Sequence, residues 1–174
     1  AGVFPALRRL FVHSAKLTGK NREAFVKLQA PQLMELWLRN SSAKNADIRA
    51  LAQSPLFDAL RVLTFDGTML EDAGFEAVAS SRSAAGLRIL RIRGGGKKLD
   101  GGFRTLAATP LTTPGAFPEL TTLKLEYPCI EKSPMETAKF LETLATPKLR
   151  HLVLDRCQFD DACAKAIATE CTTQ

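Results

Sequence analysis

Near the end of the chain, His151, Asp155 and Cys157 bring together a base, a carboxylate and a thiol, the side-chain types that nucleophilic catalysis uses. An apolar alternation puts them on one extended strand, where residues four apart are separated by about 13 Å and residues six apart by about 20 Å. Proton transfer needs hydrogen-bond reach, so they form no local triad. The other histidine, His13, falls on the first of six such strands, about 24 Å away at ordinary strand spacing. Cys129, Cys157, Cys163 and Cys171 include no Cys-x-x-Cys pair, and the two histidines lack zinc-finger spacing. Free thiols serving as small core residues are expected. The run Gly94, Gly95, Gly96, Lys97, Lys98 contains the residue types of a phosphate cradle but not the Gly-x-x-x-x-Gly-Lys-Ser/Thr order, and Leu99 follows it. It reads as a surface loop. The expectation is a non-enzymatic chain with no metal and no cofactor.

The elements that position these side chains follow from one repeated frame. Leu-x-x-Leu-x-(Leu/Val/Phe/Ile) begins at Leu7, Leu33, Leu60, Leu87, Leu120 and Leu149, at intervals of 26, 27, 27, 33 and 29 residues. The fourth and sixth positions of each frame are two residues apart, so on a strand they share a buried face, while positions three, five and seven share the other. Another apolar residue follows most strands (Leu17, Leu70, Leu99, Ile130 and Phe159, with Ala43 in the second unit) and is expected to turn the chain back over the core. The period then lengthens to about 3.6, as in Phe25 with Leu28, Ile48 with Leu51, Phe75 with Val78, Phe103 with Leu106 and Phe140 with Leu144. Short amphipathic helices are predicted there. Asp47, Asp72 and Asp161 stand at their starts, and Pro31, Pro55, Pro110 and Pro147 shortly after their ends. Residues 94–98 and 109–117 stretch the fourth unit and are expected as loops on the rims, outside the core.

The frame, its spacing and the helical second halves resemble leucine-rich repeats, and among them the ribonuclease-inhibitor-like subclass, over nearly the whole of residues 1–174. Segments such as 50–55 are similar to repeats in large bacterial proteins of this kind. The resemblance implies an α/β solenoid of about six repeats, a curved horseshoe with a parallel sheet on its concave face and helices on its convex face, forming a single domain. Where the family places Asn or Cys after the strand, this chain has Ala15, Ser41, Thr68, Gly95, Pro128 and Cys157, so only the last conforms. Less regular turns are expected, bridged by Ser, Thr or water.

Given that register, the side chains free to recognise something can be named. Position five carries Phe11, Trp37, Thr64, Arg91, Lys124 and Val153, and position seven carries His13, Arg39, Asp66, Arg93, Glu126 and Asp155. Folding requires neither aromatic nor charged residues there. Aromatic and arginine side chains gain most from desolvation at protein interfaces, which makes Phe11, Trp37, Arg39, Arg91, Arg93, Lys124 and Glu126 the candidate contacts for a protein partner. One position before the open rows, Arg8, Arg61, Arg88 and Arg150 form an arginine edge with affinity for phosphate or an acidic protein. The absence of interleaved aromatics and of any nucleic-acid motif argues against nucleic acid as the partner, and Glu35, Asp66 and Glu126 interrupt the basic field.

Charge points the same way. The net charge is +6, with 16 basic and 9 acidic side chains in residues 1–100 and 8 and 9 in the remaining 74, so an acidic partner suits the first part of the chain. No apolar run approaches the roughly 20 residues that span a bilayer, and Arg8 and Arg9 interrupt the opening residues, so neither a membrane helix nor a signal peptide is expected and the cytoplasm is the expected compartment. The first frame opens at Leu7 and the last helix runs to the final residues, without polar capping repeats. A segment of a longer array is therefore expected, with two further consequences. Such a segment positions a substrate or regulates a larger enzyme or effector, and an exposed terminal repeat permits self-association.

Overall fold

The computed structural model describes residues 2–68, 70, 72–94, 109–126, 134–155 and 159–171. Among them six strands alternate with six helices: β1 (Arg9–His13), α1 (Gly19–Val26), β2 (Glu35–Arg39), α2 (Asn45–Ala52), β3 (Val62–Thr68), α3 (Asp72–Ala79), β4 (Ile89–Gly94), α4 (Thr109–Thr112), β5 (Thr122–Glu126), α5 (Pro134–Thr143), β6 (His151–Asp155) and α6 (Asp161–Cys171). The strands form one parallel sheet in chain order, β1 to β6. None of the helices among the described residues is long and apolar enough to cross a membrane.

Register repeats along the frame positions, with one irregularity between Asp66 and Thr68 where β3 pairs with β4. Phe11 lies beside Trp37, Trp37 beside Thr64, Thr64 beside Arg91, Arg91 beside Lys124 and Lys124 beside Val153. The residue before each strand closes the ladder, since the carbonyl of Arg8 accepts from the N–H groups of both Met34 and Glu35, and Met34, Arg61, Arg88 and Thr121 repeat the pattern on their next neighbours. The backbone of the arginine edge is thus part of the sheet.

Frame positions four and six face the helices, as the alternation predicts. Leu36, Leu38, Leu63, Phe65, Leu90, Ile92 and Leu123 are wholly buried, and they share one cluster with Ile48 and Leu51 of α2 and Phe75 and Val78 of α3. At the outer strands burial falls: Leu10 and Val12 in β1, and Leu152 and Leu154 in β6, are half-buried. Each is flanked by one described strand instead of two. Leu17, Ala43 and Leu70 turn the chain inward and are buried, but Phe159 is 52% exposed. That departs from expectation because Phe159 follows the outer strand β6. Cys163, expected as a small core residue, is buried in α6. The segment 95–98, Leu99, Phe103, Leu106, Ile130, Cys129 and Cys157 lie outside the described residues.

The fourth unit corrects the expected loop at 109–117. Thr109–Thr112 is helical, and Pro110 sits inside its first turn, where a missing N–H costs little. Leu111 and Phe117 are 1% exposed, with Phe117 stacked on Phe75 at 5.9 Å between centroids, so this stretch enters the core. Length had suggested an insertion, yet the two apolar side chains have the same drive to leave water as any frame leucine.

Turns behave differently from expectation as well. Ser14, Asn40 and Gly67, each directly after the seventh frame position, adopt φ of +54°, +46° and +63°. Asn and Gly tolerate this left-handed region best. A Cβ on Gly67 would also collide with Oδ1 of Asn40. Ser41 and Thr68, the residues expected to bridge the turns, are buried, and among the described residues their hydroxyls have no hydrogen-bond partner.

Helix starts confirm one expected carboxylate and replace another. Asp47 accepts from the Lys44 N–H at 2.9 Å and pairs with Arg22 of α1 at 3.1 Å, joining adjacent helices from a buried position. Asp72's side chain lies outside the described residues. At α6 it is Asp160, not Asp161, that caps, accepting from Cys163 and Ala162 N–H groups at 3.1 and 3.0 Å. The Cys163 N–H chiefly holds the Asp160 carboxyl below its ordinary 3.8. A depressed carboxyl stabilises the fold above its unfolded value and ceases to do so as pH falls through its native one. An NMR titration of the Asp160 carboxyl carbon is expected to place its midpoint below 3.8, with fraying of α6 following the same curve. In Asp160→Ala, which has no acceptor for these N–H groups, the fraying is expected at every pH.

Candidate binding face

Positions three, five and seven of β1 to β6 share the sheet face opposite the helices. Position five carries the aromatic group. Phe11 is 58% exposed, and its ring centroid lies 5.1 Å from that of Trp37 at an interplanar angle of 42°. From β4, the Arg91 guanidinium reaches back over the Trp37 ring, 5.5 Å from its centroid. Thr64 lies between Trp37 and Arg91 in register, which explains how a residue on the outer face is only 5% exposed. Among the described residues its hydroxyl has no hydrogen-bond partner.

Trp37 is fixed at its polar end too. Its Nε1–H donates to Glu35 Oε1 at 2.7 Å, and Glu35 Oε2 pairs with Arg9 Nε at 3.2 Å. Glu35 was absent from the expected contacts, although it stands two residues before Trp37 and therefore on the same face. Val62 and Ile89 continue its row as half-buried apolar neighbours.

Position seven is a charge-alternating ladder and not a basic patch. Arg39 Nε lies 3.1 Å from Asp66 Oδ2, while Arg93 Nε lies 4.0 Å from Asp66 Oδ1 and 3.7 Å from Glu126 Oε2. Four of the expected and intervening charges thus neutralise one another, each partly exposed and worth little to stability individually. Arg91 and Lys124 are different: among the described residues neither pairs with a carboxylate, and they are register neighbours. The expected contact residues therefore divide into an aromatic–cation group and a self-satisfied ladder.

The arginine edge is broken chemically. Arg61 donates from one guanidinium nitrogen to the carbonyls of Gly86 at 3.2 Å and Leu60 at 3.3 Å, and a Cβ on Gly86 would collide with that nitrogen. Arg8, Arg88 and Arg150 are exposed, but Met34 and Thr121 separate them. Glu119, unnoticed in the sequence, adds negative charge nearby. A hydrogen bond from Lys148 holds its carboxyl below the ordinary value, helped by the charges of Lys148, Arg88 and Arg61.

His13 and His151 sit on the outer strands β1 and β6, with four strands between them. Among the described residues no three of His, Cys, Asp and Glu converge as a metal site. On the helical side, an open groove of about 710 Å³ between α2 and α3 is lined by Arg49, Asp58, Glu76 and Arg82 among others, and Arg82 pairs with Asp58 at 3.7 Å. No family model matches this chain, and no curated protein matches it.

Proposed function

We propose that this chain is a leucine-rich-repeat module of the ribonuclease-inhibitor-like kind, curved so that its sheet face is concave, and that it is a non-enzymatic module binding a protein partner on that face. The observation that carries the reading is the Phe11, Trp37 and Arg91 cluster, which stands outside the core and presents the exposed Phe11 ring against a Trp37 ring that the Arg91 cation overlies. Such side chains dominate interface energetics, and here strand pairing, the Glu35 hydrogen bond and the tilted ring contact hold them in advance of binding, so less ordering entropy opposes association. The self-paired ladder supports a protein surface over a polyanion surface, because its carboxylates would repel phosphates. Arg61, committed to backbone carbonyls, weakens the arginine edge as a polyanion track.

The test compares wild type with Trp37→Ala plus Arg91→Glu in titration of a partner captured by the immobilised protein. Neither side chain belongs to the buried core, so circular dichroism is expected to remain unchanged while affinity falls by at least about 30-fold, the scale of interface hot spots. Unaltered affinity in the folded double variant would remove this face from consideration. Affinity that collapses with salt but is indifferent to Trp37 would favour the arginine edge.

A further inference from the structure

We infer that the partner segment is an acidic peptide in extended form, lying across the strands, with an aliphatic side chain over Phe11 and Trp37 and a carboxylate four residues away held by Arg91 and Lys124. This rests on the interaction reading above and specifies the chemistry of the partner. The key observation is an imbalance. Arg9, Arg39 and Arg93 each have a carboxylate beside them on the sheet face, whereas Arg91 and Lys124 have none among the described residues. These two cations are direct register neighbours on β4 and β5. Like charges opposite one another on adjacent strands are unfavourable, and neither side chain is needed to build the core. An anion placed between them converts that cost into two charge-assisted contacts.

Two further features define the rest of the ligand. Thr64, beside Arg91 in register, is 5% exposed, its hydroxyl has no hydrogen-bond partner among the described residues, and the Trp37–Arg91 contact covers it. When Arg91 turns towards a carboxylate, that hydroxyl becomes available to a polar side chain of the ligand. Exposed Phe11 and the flank of Trp37 offer the apolar contact. From the midpoint of β1 and β2 to that of β4 and β5 is three strand spacings, about 14 Å. An extended peptide rising about 3.4 Å per residue covers this in four residues, and side chains at i, i+2 and i+4 face the same way. Aliphatic, polar and acidic groups at those three positions therefore meet Phe11 with Trp37, Thr64, and Arg91 with Lys124.

Trp37 is the chain's only tryptophan, so its emission reports on the Arg91 contact directly. The probes are the end-blocked peptide Ala-Leu-Ser-Thr-Ser-Glu-Ala, its reversed-order counterpart, and versions with Gln or phosphoserine in place of Glu. The expected result is a saturable emission change in which one Glu peptide binds at least about tenfold more tightly than its Gln form, as expected for charge-assisted hydrogen bonds. That preference is expected to vanish in Arg91→Gln plus Lys124→Gln and to shrink with added salt. Equal affinity for Glu and Gln peptides, with binding still lost in Phe11→Ala, overturns the carboxylate assignment and leaves the interaction face standing. Preference for the phosphoserine peptide overturns it in favour of a phosphorylated partner. Failure of every peptide to shift Trp37 emission or the amide resonances of β2 to β5 up to millimolar concentration overturns the proposed ligand, while partner capture by wild type and not by the Trp37→Ala, Arg91→Glu variant still supports the face.

Discussion

Phe117→Ala is expected to destabilise the protein by about 3–5 kcal/mol, the range for a large aromatic removed from a closed core. Phe117 is 1% exposed and stacks on the wholly buried Phe75 with an interplanar angle of 18°. Its carbonyl also accepts from Leu120 N–H as the chain enters β5, so the ring holds the approach to that strand. In the same stretch, Leu111 is buried, and its carbonyl accepts from Ala145 N–H at 2.9 Å, which ties α4 to the segment leading into β6. Losing the ring leaves a cavity between Phe75 of α3 and the segment that enters β5. Urea denaturation checks this as a lower midpoint with an unchanged slope. Pro114, exposed in the same stretch, provides the contrast, since Pro114→Ala is expected to stay within about 0.5 kcal/mol. A cycle combining Phe75→Leu and Phe117→Leu is expected to reveal about 0.5–1.5 kcal/mol of ring–ring coupling. A cost below about 1 kcal/mol for Phe117→Ala would mean that the segment lies on the surface, as its length had suggested.

That segment marks the boundary of what spacing alone can reveal. Alternation within five or six residues is local, so burial of Leu36 with Leu38, Leu63 with Phe65 and Leu90 with Ile92 was legible, as were the strand order and the outward set containing Phe11, Trp37 and Arg91. Phe117 and Leu111 were not, because in an irregular stretch no period distinguishes an inward apolar residue from one on a rim. The same holds for Leu56 and Phe57, fully buried in the short 3-10 turn Pro55–Phe57. Charge on the outer face was misjudged for a different reason. Counting arginines suggested a basic patch, but Arg39, Asp66, Arg93 and Glu126 are about one unit apart in sequence and become neighbours only once the register is fixed. The register already set Arg39, Asp66, Arg93 and Glu126 in one row, and reading neighbours along that row as pairs gives the ladder, just as reading Glu35 with Trp37 on one strand face gives their hydrogen bond.

Leu63→Ala is expected to cost about 3–4 kcal/mol and Leu152→Ala about 1–2 kcal/mol, although both occupy the fourth position of the same frame. Leu63 is 0% exposed on β3, which pairs with strands on both sides, whereas Leu152 is half-buried on β6, which among the described residues pairs with β5 alone. Truncating Leu63 therefore removes a methyl-rich side chain from full enclosure and leaves neighbours unable to collapse in concert, while at Leu152 solvent already takes part of the contact. The difference extends to binding. Leu63 lies between Val62 and Thr64, and β3 holds Thr64 in register between Trp37 and Arg91. A shift of that strand separates the cation from the ring, so Leu63→Ala is expected to weaken partner affinity by several-fold even under conditions where the variant remains folded. Leu152→Ala, far from Trp37 in strand order, is expected to bind as wild type does. Paired denaturation and titration of the two variants check both effects, and equal binding losses would sever the link between core enclosure in β3 and the geometry of the aromatic–cation group.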